Sequence, residues 1–256
     1  MKIAIVTGAS SGMGREFVRQ LSAYVQVDEI WAVARRREAL EALKAEAPVT
    51  VRPIVLDLLK SESFDEIRAM LEEKQPEIRL LVNAAGFGKF GAYHKTTIED
   101  DCRMIDLNCK ALLVMTRLCI PYMKPGSHIL ELDSLSAFQP VPYITTYGAT
   151  KAFVLSFSRA LNRELRSRGI GVMAVCPFWT KTAFFGRAIR EGEQPIVKKY
   201  VAMYDVEDIV TRTWRDAKQG KDVCKYGFIA RAQAGLAKIL PHSLVMDVWM
   251  KQQELR

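Results

Sequence analysis

Tyr147 and Lys151 are the two residues of this sequence whose types and spacing most directly suggest acid–base chemistry. Residues four positions apart lie on the same face of a helix, so the ammonium of Lys151 can approach the phenol of Tyr147. A free tyrosine titrates near pH ~10, and a fixed cation close to it favours the phenolate. The pair predicts a proton-exchanging tyrosine whose pKa Lys151 lowers. Because solvated helices also carry this spacing by chance, the interpretation depends on other motifs.

A glycine-rich segment, TGASSGMG at residues 7–14, follows an apolar strand predicted at residues 2–6 and leads into a helix predicted at residues 12–24. Glycine lets the backbone turn sharply beside a ligand, and a helix N-terminus offers N–H groups and a positive dipole end to phosphate. A tight turn without a ligand is the alternative, but the position between strand and helix favours a dinucleotide. We predict contacts from Gly8, Ser10, Ser11, Gly12, Met13 and Gly14.

The residues after the second predicted strand indicate which dinucleotide binds. An acidic residue about 20 positions beyond the glycines would hold a ribose 2′-hydroxyl, whereas arginine there accommodates a 2′-phosphate. That position is Ala34, and Arg35, Arg36 and Arg37 follow it. We therefore predict NADP(H), held by Arg35 and Arg36. The alternative is that the arginines only begin the next helix, predicted at residues 36–47.

Strands and helices alternate along most of the chain. Further strands are predicted at residues 29–34, 50–56, 78–82, 127–132, 171–176 and 222–226. Helices are predicted at residues 63–74, 98–123 and 205–218. This alternation is typical of an α/β fold with a Rossmann-type, doubly wound parallel sheet. We expect a single domain over residues 1–256.

Composition excludes several classes of protein. The chain has 256 residues, 49% hydrophobic and 26% charged, which is an ordinary globular balance. Its five cysteines form no CxxC pair, no secretory leader is evident and no apolar run reaches ~18 residues, so we expect a cytoplasmic protein without a transmembrane span. The net charge of +8 is spread along the chain without a basic tract, and we predict no nucleic-acid partner. No His/Cys cluster suggests a metal, and His94 and His128 are interpreted as structural.

Six motifs in order identify a known family. They are TGASSGMG, Asp57, NAAG at residues 83–86, Asn108 within LNCKA, Ser134, and YGATK at residues 147–151. With these motifs the chain resembles the short-chain dehydrogenase/reductase family, in its compact-subunit branch, from residue 2 to about residue 226.

The resemblance implies a role for each matching residue. Tyr147 would exchange a proton with the substrate oxygen, Lys151 would lower its pKa and hold the nicotinamide ribose, and Ser134 would bind the carbonyl. Asn108 would hold a water of the proton relay, and Asp57 would contact the adenine. The cofactor residues implied beyond the glycine turn and the arginines are Asp57, Leu58, Asn83, Ala84, Gly86, Tyr147, Lys151, Pro177, Thr180 and Thr182.

The sequence departs from the family pattern at two positions. Phe178 follows Pro177 where the family usually has glycine beside the nicotinamide, which puts the shape of the site there in doubt. Ala84 stands where asparagine is commoner, and we expect little effect from it. Thr182 still matches the family threonine that would bind the carboxamide, so we expect cofactor binding to be retained.

Two helical segments, a substrate lid and a C-terminal extension, are predicted in the last third of the chain. Residues 178–204, with several glycine and proline breaks, suit a helical lid. Residues 228–256 form a helical C-terminal extension that resembles the tails of hydroxysteroid dehydrogenases and long-chain 3-oxoacyl reductases. An amphipathic tail of this kind most often belongs to the core or to a subunit contact, and a membrane surface is the less common alternative.

The function predicted is NADP(H)-dependent interconversion of a ketone and a secondary alcohol, with Tyr147 as acid and base. Aromatic residues near the site favour a hydrophobic substrate such as a steroid, bile acid or 3-oxoacyl compound. One alternative is a non-catalytic NADP(H)-binding sensor, and another is a protein that binds nucleic acid or membrane through its basic charge. The resemblance implies a homodimer or homotetramer.

Overall fold

A seven-stranded, fully parallel sheet forms the centre of the protein. The computed structural model describes residues 1–189 and 194–255. Its strands are β1 Lys2–Thr7, β2 Glu29–Ala34, β3 Thr50–Val55, β4 Glu77–Asn83, β5 Met123–Leu132, β6 Gly171–Val175 and β7 Val223–Cys224. They lie in the order β3-β2-β1-β4-β5-β6-β7, and every pair is parallel. The predicted Rossmann-type, doubly wound fold is confirmed.

Helices cover both faces of this sheet. They are α1 Gly12–Gln20, α2 Arg37–Glu46, α3 Glu62–Lys74, α4 Ile98–Ile105, α5 Leu112–Cys119, α6 Thr145–Leu165, α7 Phe184–Ala188, α8 Val206–Lys218, α9 Phe228–Leu236 and α10 His242–Gln252. One core contains Phe17 of α1, Leu40 of α2 and Trp214 of α8. The other contains Ile67 of α3 and Met115 of α5. Burial on both faces explains why the strands are nearly continuous apolar runs.

The strand order fixes where a ligand can bind. The chain moves outward from β1 to β3, then crosses back to place β4 on the other side of β1. In parallel sheets the crevice beyond the carboxyl ends of the strands at such a reversal is the usual ligand site. The residues after Thr7 of β1 and Asn83 of β4 therefore meet at this crevice. Thr7 Oγ1 joins the two strand ends, because it accepts hydrogen bonds from Ala84 N (3.1 Å) and Ala85 N (3.2 Å).

The helical stretch predicted over residues 98–123 is helical from Ile98 to Tyr122, and the type of helix changes twice within it. Between α4 and α5 the backbone widens into a π-helical turn, Asp106–Ala111, which contains Asn108. After α5 the chain makes a 3₁₀ turn, Ile120–Tyr122, with Pro121 in its first positions, and β5 begins at Met123. Proline is tolerated at the start of a helical turn but cannot continue a preceding α-helix. Pro121 therefore explains why α5 ends at Cys119.

The predicted lid and the predicted C-terminal extension are helical in part. In residues 178–204 the structure has α7 and a parallel bridge between Thr180 and Tyr204, while residues 190–193 of this segment lie outside the described part of the chain. In residues 228–256 the helices α9 and α10 are separated at Pro241, as its missing N–H requires, and Arg256 lies outside the described residues. Across residues 1–189 and 194–255, no helix combines the length and apolarity needed to cross a bilayer.

Candidate active site

A cleft of about 330 Å³ runs along the carboxyl ends of the strands. All but two of the residues predicted for the site line it. They are Gly8, Ser10, Ser11, Gly12, Met13, Gly14, Arg35, Arg36, Asp57, Leu58, Ala84, Gly86, Ser134, Tyr147, Lys151, Pro177, Thr180 and Thr182. The exceptions are Asn83 and Asn108. Residues from seven separate segments of the sequence thus converge on one cavity.

The glycine-rich turn forms one wall of the cleft because its glycines allow two close approaches. Gly8 has φ +66°, and a Cβ there would lie 2.7 Å from the backbone of Ala84. A Cβ on Gly14 would lie 2.4 Å from Gly8 O, so α1 could not begin so close to β1 with any larger residue. Gly12 has φ +54° and faces Thr182. The N-terminus of α1 therefore opens directly onto the cleft, where its free N–H groups can meet a phosphate.

Arg35 and Arg36 stand at the far end of the same wall. The Arg36 guanidinium donates hydrogen bonds to the backbone oxygen and to Oγ of Ser10, each at 3.1 Å. Arg35 approaches Asp57, with 3.9 Å between its nitrogen and a carboxylate oxygen. Both arginines are exposed and belong to the cleft, whereas Arg37 begins α2. Two cations beside a serine hydroxyl form a pocket that suits a phosphate group.

Asn83 makes its side-chain contacts inside the protein. Its Nδ2 donates to Thr116 Oγ1 at 2.9 Å and to Leu112 O at 3.4 Å, and the residue is 3% exposed. Thr116 Oγ1 in turn donates to Glu131 Oε1 at 2.8 Å. The side-chain amide thus connects β4 to α5, and through Thr116 to β5. The predicted contact of Asn83 with a cofactor stays a prediction.

Tyr147, Lys151 and Ser134 meet at the centre of the cleft. Lys151 Nζ lies 5.6 Å from the centroid of the Tyr147 ring, as expected for residues one turn apart on α6. Nζ also donates a hydrogen bond to Leu132 O at 2.7 Å, which fixes it at the end of β5. The Ser134 hydroxyl lies close enough to the Tyr147 phenol to lower the pKa of that phenol. The three polar groups that a carbonyl reduction needs are side by side.

The pKa of Tyr147 differs from the sequence-based expectation. Burial raises the pKa of its phenol above the ordinary value, and the nearby Ser134 hydroxyl opposes this only in part. Burial likewise lowers the pKa of Lys151, against the attraction of the Asp133 carboxylate. The sequence-based expectation rested on the positive charge of Lys151 alone. Loss of solvation disfavours both the phenolate of Tyr147 and the ammonium of Lys151. The protein surroundings alone thus favour the neutral phenol, which is a proton donor.

Asn108 is held by contacts that explain the π-helical turn around it. Its Oδ1 accepts from Phe87 N (3.0 Å), while Nδ2 donates to Phe87 O (2.9 Å) and Thr150 Oγ1 (3.1 Å). A Cβ on Gly86 would lie 2.9 Å from Oδ1, so only glycine fits before Phe87. The side chain therefore connects the loop after β4 to α6. Its water-holding role stays a prediction.

A buried carboxylate beside the site, Asp133, was not predicted. It is 2% exposed and lines the cleft; Oδ2 accepts from Cys176 Sγ at 3.3 Å, and Oδ1 has no hydrogen-bond partner in the described chain. Burial raises the pKa of this carboxyl to about 7, although Lys151 favours its ionised form. Glu131 has a similarly raised pKa of about 7 through burial. The sequence did carry a signal, because Glu131 interrupts the apolar end of β5 and Asp133 follows two positions later, just beyond the strand.

The other half of the cleft is apolar and aromatic. Tyr147 packs edge-on against Phe90, with ring centroids 5.6 Å apart, and lies 5.5 Å from Phe184. Trp249 of α10 stacks on Trp179 at 6.2 Å. The apolar side chains lining this half are Phe87, Phe90, Val141, Ile144, Phe178, Trp179, Phe184, Phe185 and Trp249. A hydrophobic molecule beside Tyr147 fits these surroundings.

Phe178 lines this apolar half and also packs against residues outside it. Its side chain belongs to a cluster with Leu135, Ala230 and Ala234, so it connects the site to α9. Within residues 1–189 and 194–255 no group of three or more His, Cys, Asp or Glu side chains could hold a metal.

Comparison with known proteins agrees with this geometry. The short chain dehydrogenase family model matches residues 2–193. The chain is 31% identical over 261 residues to a very-long-chain 3-oxoacyl-CoA reductase of Anas platyrhynchos, covering 97% of this chain and 78% of that protein. It is 35% identical over 218 residues to the NADP-dependent 3-hydroxy acid dehydrogenase YdfG of Salmonella typhi, covering 83% of this chain and 87% of that protein.

Solved structures give the same result. A short-chain dehydrogenase from Sphingobium yanoikuyae in complex with NADPH matches with a TM-score of 0.77 and 28% identity, over 95% of this chain and 98% of that chain. The family match covers the glycine turn, the Tyr147 and Lys151 pair and Ser134, which lie together in the cleft. The chain belongs to the short-chain dehydrogenase family.

Proposed function

We propose that this protein is an NADP(H)-dependent oxidoreductase that interconverts a ketone and a secondary alcohol on a hydrophobic substrate. The observation that carries the proposal is the convergence of Ser134, Tyr147 and Lys151 between the two halves of one cleft. One half is built from a helix N-terminus and arginines, and the other from aromatic rings. The NADPH complex and the NADP-dependent relative named above support the choice of cofactor.

The residues present fit this cofactor. The N-terminus of α1 faces the cleft without acidic residues in its first turn, which suits a pyrophosphate. Arg35, Arg36 and Ser10 suit a 2′-phosphate, since two guanidinium groups and a hydroxyl can all donate to it. Asp57 and Leu58 line the side of the cleft nearest the arginines, and Thr182 faces the glycine turn across it. When bound, NADP(H) supplies or accepts the hydride.

The protein residues manage the charge and the proton. As a hydride arrives at a carbonyl carbon, negative charge develops on the oxygen. Ser134 donates a hydrogen bond to that oxygen and the neutral phenol of Tyr147 transfers its proton to it, giving the alcohol. The Lys151 ammonium then stabilises the phenolate that is left. In the reverse direction the phenolate accepts the alcohol proton.

The test is NADPH oxidation by the purified protein with oxo-steroids, oxo-bile acids, 3-oxoacyl thioesters and small aromatic ketones. Turnover of one class would name the substrate. The two relatives act, by their names, on 3-oxoacyl-CoA and 3-hydroxy acids. Acyl substrates are therefore the first candidates for the apolar half of the cleft. NADPH binding without turnover of any ketone would favour the alternative, a non-catalytic sensor. A non-catalytic sensor would be expected to lack the tyrosine or the lysine, and this chain has both Tyr147 and Lys151.

The proposal includes self-association into a homodimer or homotetramer through α5 and α6. Support comes from Leu113 and Phe153, which are 42% and 40% exposed on these helices. Phe153 stacks on Phe157 with ring centroids 5.8 Å apart. Exposed aromatic side chains such as Phe153 are enriched in subunit contacts.

Replacing Phe178 by glycine should change the substrate range more than the cofactor affinity. The side chain contacts Leu135 and α9 on the apolar side of the cleft, so its loss should alter kcat/KM for bulky relative to small ketones by about tenfold or more. NADPH affinity should change little. Phe138→Gly is the matched control, because Phe138 belongs to the same cluster but not to the cleft. A large loss of NADPH affinity alone in Phe178→Gly would contradict the expectation.

Replacing Asp133 by asparagine should change the pH dependence of ketone reduction. The carboxylate raises the pKa of Lys151, so its removal lowers that pKa and Lys151 loses its proton at a lower pH. If the ammonium is needed for turnover, the alkaline limb of the kcat profile should move to lower pH in Asp133→Asn. The measurement is kcat against pH for both proteins, with Asp216→Asn as control, because Asp216 is also buried but bonds to Arg212 and Lys221 outside the cleft. Superimposable profiles would contradict this role for Asp133.

A further inference from the structure

Helices α9 and α10 carry an exposed apolar surface that the cleft does not use. Six large apolar side chains on these helices and the turn between them are at least 36% exposed. They are Phe228, Leu236, Ile239, Leu240, Leu244 and Val248, and together they are called the tail surface. Ile239 is 81% exposed and Phe228 is 77% exposed. Six exposed large apolar side chains within 21 residues are an unusual concentration for an ordinary surface and point to an interaction site.

The opposite faces of the same helices are firmly packed. Ala230 and Ala234 of α9 are fully buried. Trp249 of α10 is 8% exposed and donates from Nε1 to Pro142 O at 3.0 Å. Gln253, fully buried just beyond α10, accepts from Lys198 N (2.8 Å) and Lys199 N (3.0 Å). The exposure of the tail surface therefore follows from the orientation that these contacts give the helices.

The charges around the tail surface are mostly positive. Arg231, Lys238 and Lys251 are exposed on α9, α10 and the turn between them. Asp247 is the sole acidic residue between positions 228 and 252, and the whole chain carries +8. A second copy of the chain would bring like charges together around this surface. An anionic lipid bilayer complements both the apolar side chains and the cations.

The tail surface also adjoins the substrate half of the cleft. Gln233 of α9 and Trp249 of α10 line the cleft from the inner faces of the helices that carry the surface. A bilayer against the outer faces would therefore lie one helix away from the apolar cavity. This placement suits a hydrophobic molecule that partitions into lipid.

We propose that the tail surface docks on a membrane surface containing anionic lipids. The helices α9 and α10 lie in the interface with Ile239 and Leu244 among the apolar tails. Lys238 and Lys251 lie at the level of the headgroups. This docking is independent of the catalytic proposal and holds whether or not the protein reduces a ketone.

Sedimentation of the full chain with vesicles tests the proposal. Phosphatidylcholine vesicles that contain phosphatidylglycerol should carry the protein into the pellet, pure phosphatidylcholine vesicles should carry much less, and added salt should release it. Ile239→Ser with Leu244→Ser should weaken binding at least about tenfold, because two apolar side chains leave the interface. Lys238→Glu should weaken binding to the anionic vesicles alone. These positions are exposed, so the variants should keep the melting temperature of the parent protein.

Tyr93→Ser with Ile98→Ser is the matched control, since these side chains are 65% and 78% exposed far from α9 and α10 in the sequence. The control pair should bind anionic vesicles like the parent protein. A parent protein that stays in the supernatant with anionic vesicles would overturn the proposal, as would equal binding by the parent and the tail variant. An oligomer that analytical ultracentrifugation detects in the parent and not in the tail variant would assign the surface to a second copy and also overturn it.

Discussion

Replacing Tyr147 by phenylalanine is expected to lower kcat for ketone reduction by about 10²- to 10⁴-fold, the usual contribution of a positioned general acid. The hydroxyl is the proposed proton donor, and it lies with Ser134 at the centre of the cleft. Hydride transfer would then leave an alkoxide without a proton donor. NADPH oxidation with the best ketone of the panel measures the effect.

Cofactor binding should survive the same substitution. The Tyr147 ring packs against Phe90 and Phe184, and a phenylalanine ring keeps both contacts. The dissociation constant for NADPH, measured by fluorescence titration, should therefore change by less than about threefold, a difference below 1 kcal/mol. Lys151→Met gives the complementary result, since it removes a cation held at Leu132 O and should weaken both turnover and binding.

Tyr24→Phe is the control for loss of a phenol. Tyr24 donates to Thr211 O at 3.4 Å and stacks on Trp214, and it does not line the cleft. The kcat of the Tyr24→Phe protein should therefore match that of the parent protein. A Tyr147→Phe protein with undiminished kcat would remove Tyr147 from the chemistry and with it the proposed mechanism. Failure of the parent protein to reduce any ketone would instead count against the proposed function, while NADPH binding would still test the cofactor site.

The sheet and the cleft could be predicted because their signals are local. Apolar runs ending in Thr7 and Asn83, separated by helical segments, identify parallel strands whose carboxyl ends meet. The glycines at positions 8 and 14 predict a close approach that the structure realises at Gly8 O. Residues at strand ends are placed by the sheet itself, so the positions of Asp57 and Ser134 in the cleft follow from strand boundaries alone.

What could not be predicted depends on burial, which sequence patterns describe poorly. The pKa of Tyr147 depends on how completely the cavity walls exclude water, and aromatic rings from distant segments build those walls. The pKa of the buried Asp133 carboxyl depends on its burial and on Lys151 and Cys176, which lie in other segments of the chain. The contacts of the Asn83 side chain depend on Thr116, which lies 33 positions away. Side-chain direction at a strand end is decided by such tertiary contacts.

Replacing Arg35 and Arg36 together by alanine is expected to weaken NADPH binding by about ten- to a hundredfold, because one charged hydrogen bond to a phosphate contributes roughly 1.5 to 3 kcal/mol. NADH binding should change by less than about threefold, since NADH has no 2′-phosphate to lose. The variant should therefore bind the two cofactors with similar affinity. Titrations with NADPH and NADH on the same preparation measure the difference.

A probe without nicotinamide separates this pocket from the catalytic centre. Adenosine 2′,5′-bisphosphate should compete with NADPH for the parent protein but only weakly for the Arg35→Ala, Arg36→Ala variant, whereas 5′-AMP should not distinguish the two. Arg37→Ala is the matched control, because Arg37 begins α2 and does not line the cleft. Equal losses of NADPH and NADH affinity would contradict the assignment of Arg35 and Arg36 to the 2′-phosphate. Of the single variants, Arg36→Ala should have the larger effect, since Ser10 already holds the Arg36 guanidinium in place at 3.1 Å, whereas the nearest carboxylate contact of Arg35 is 3.9 Å.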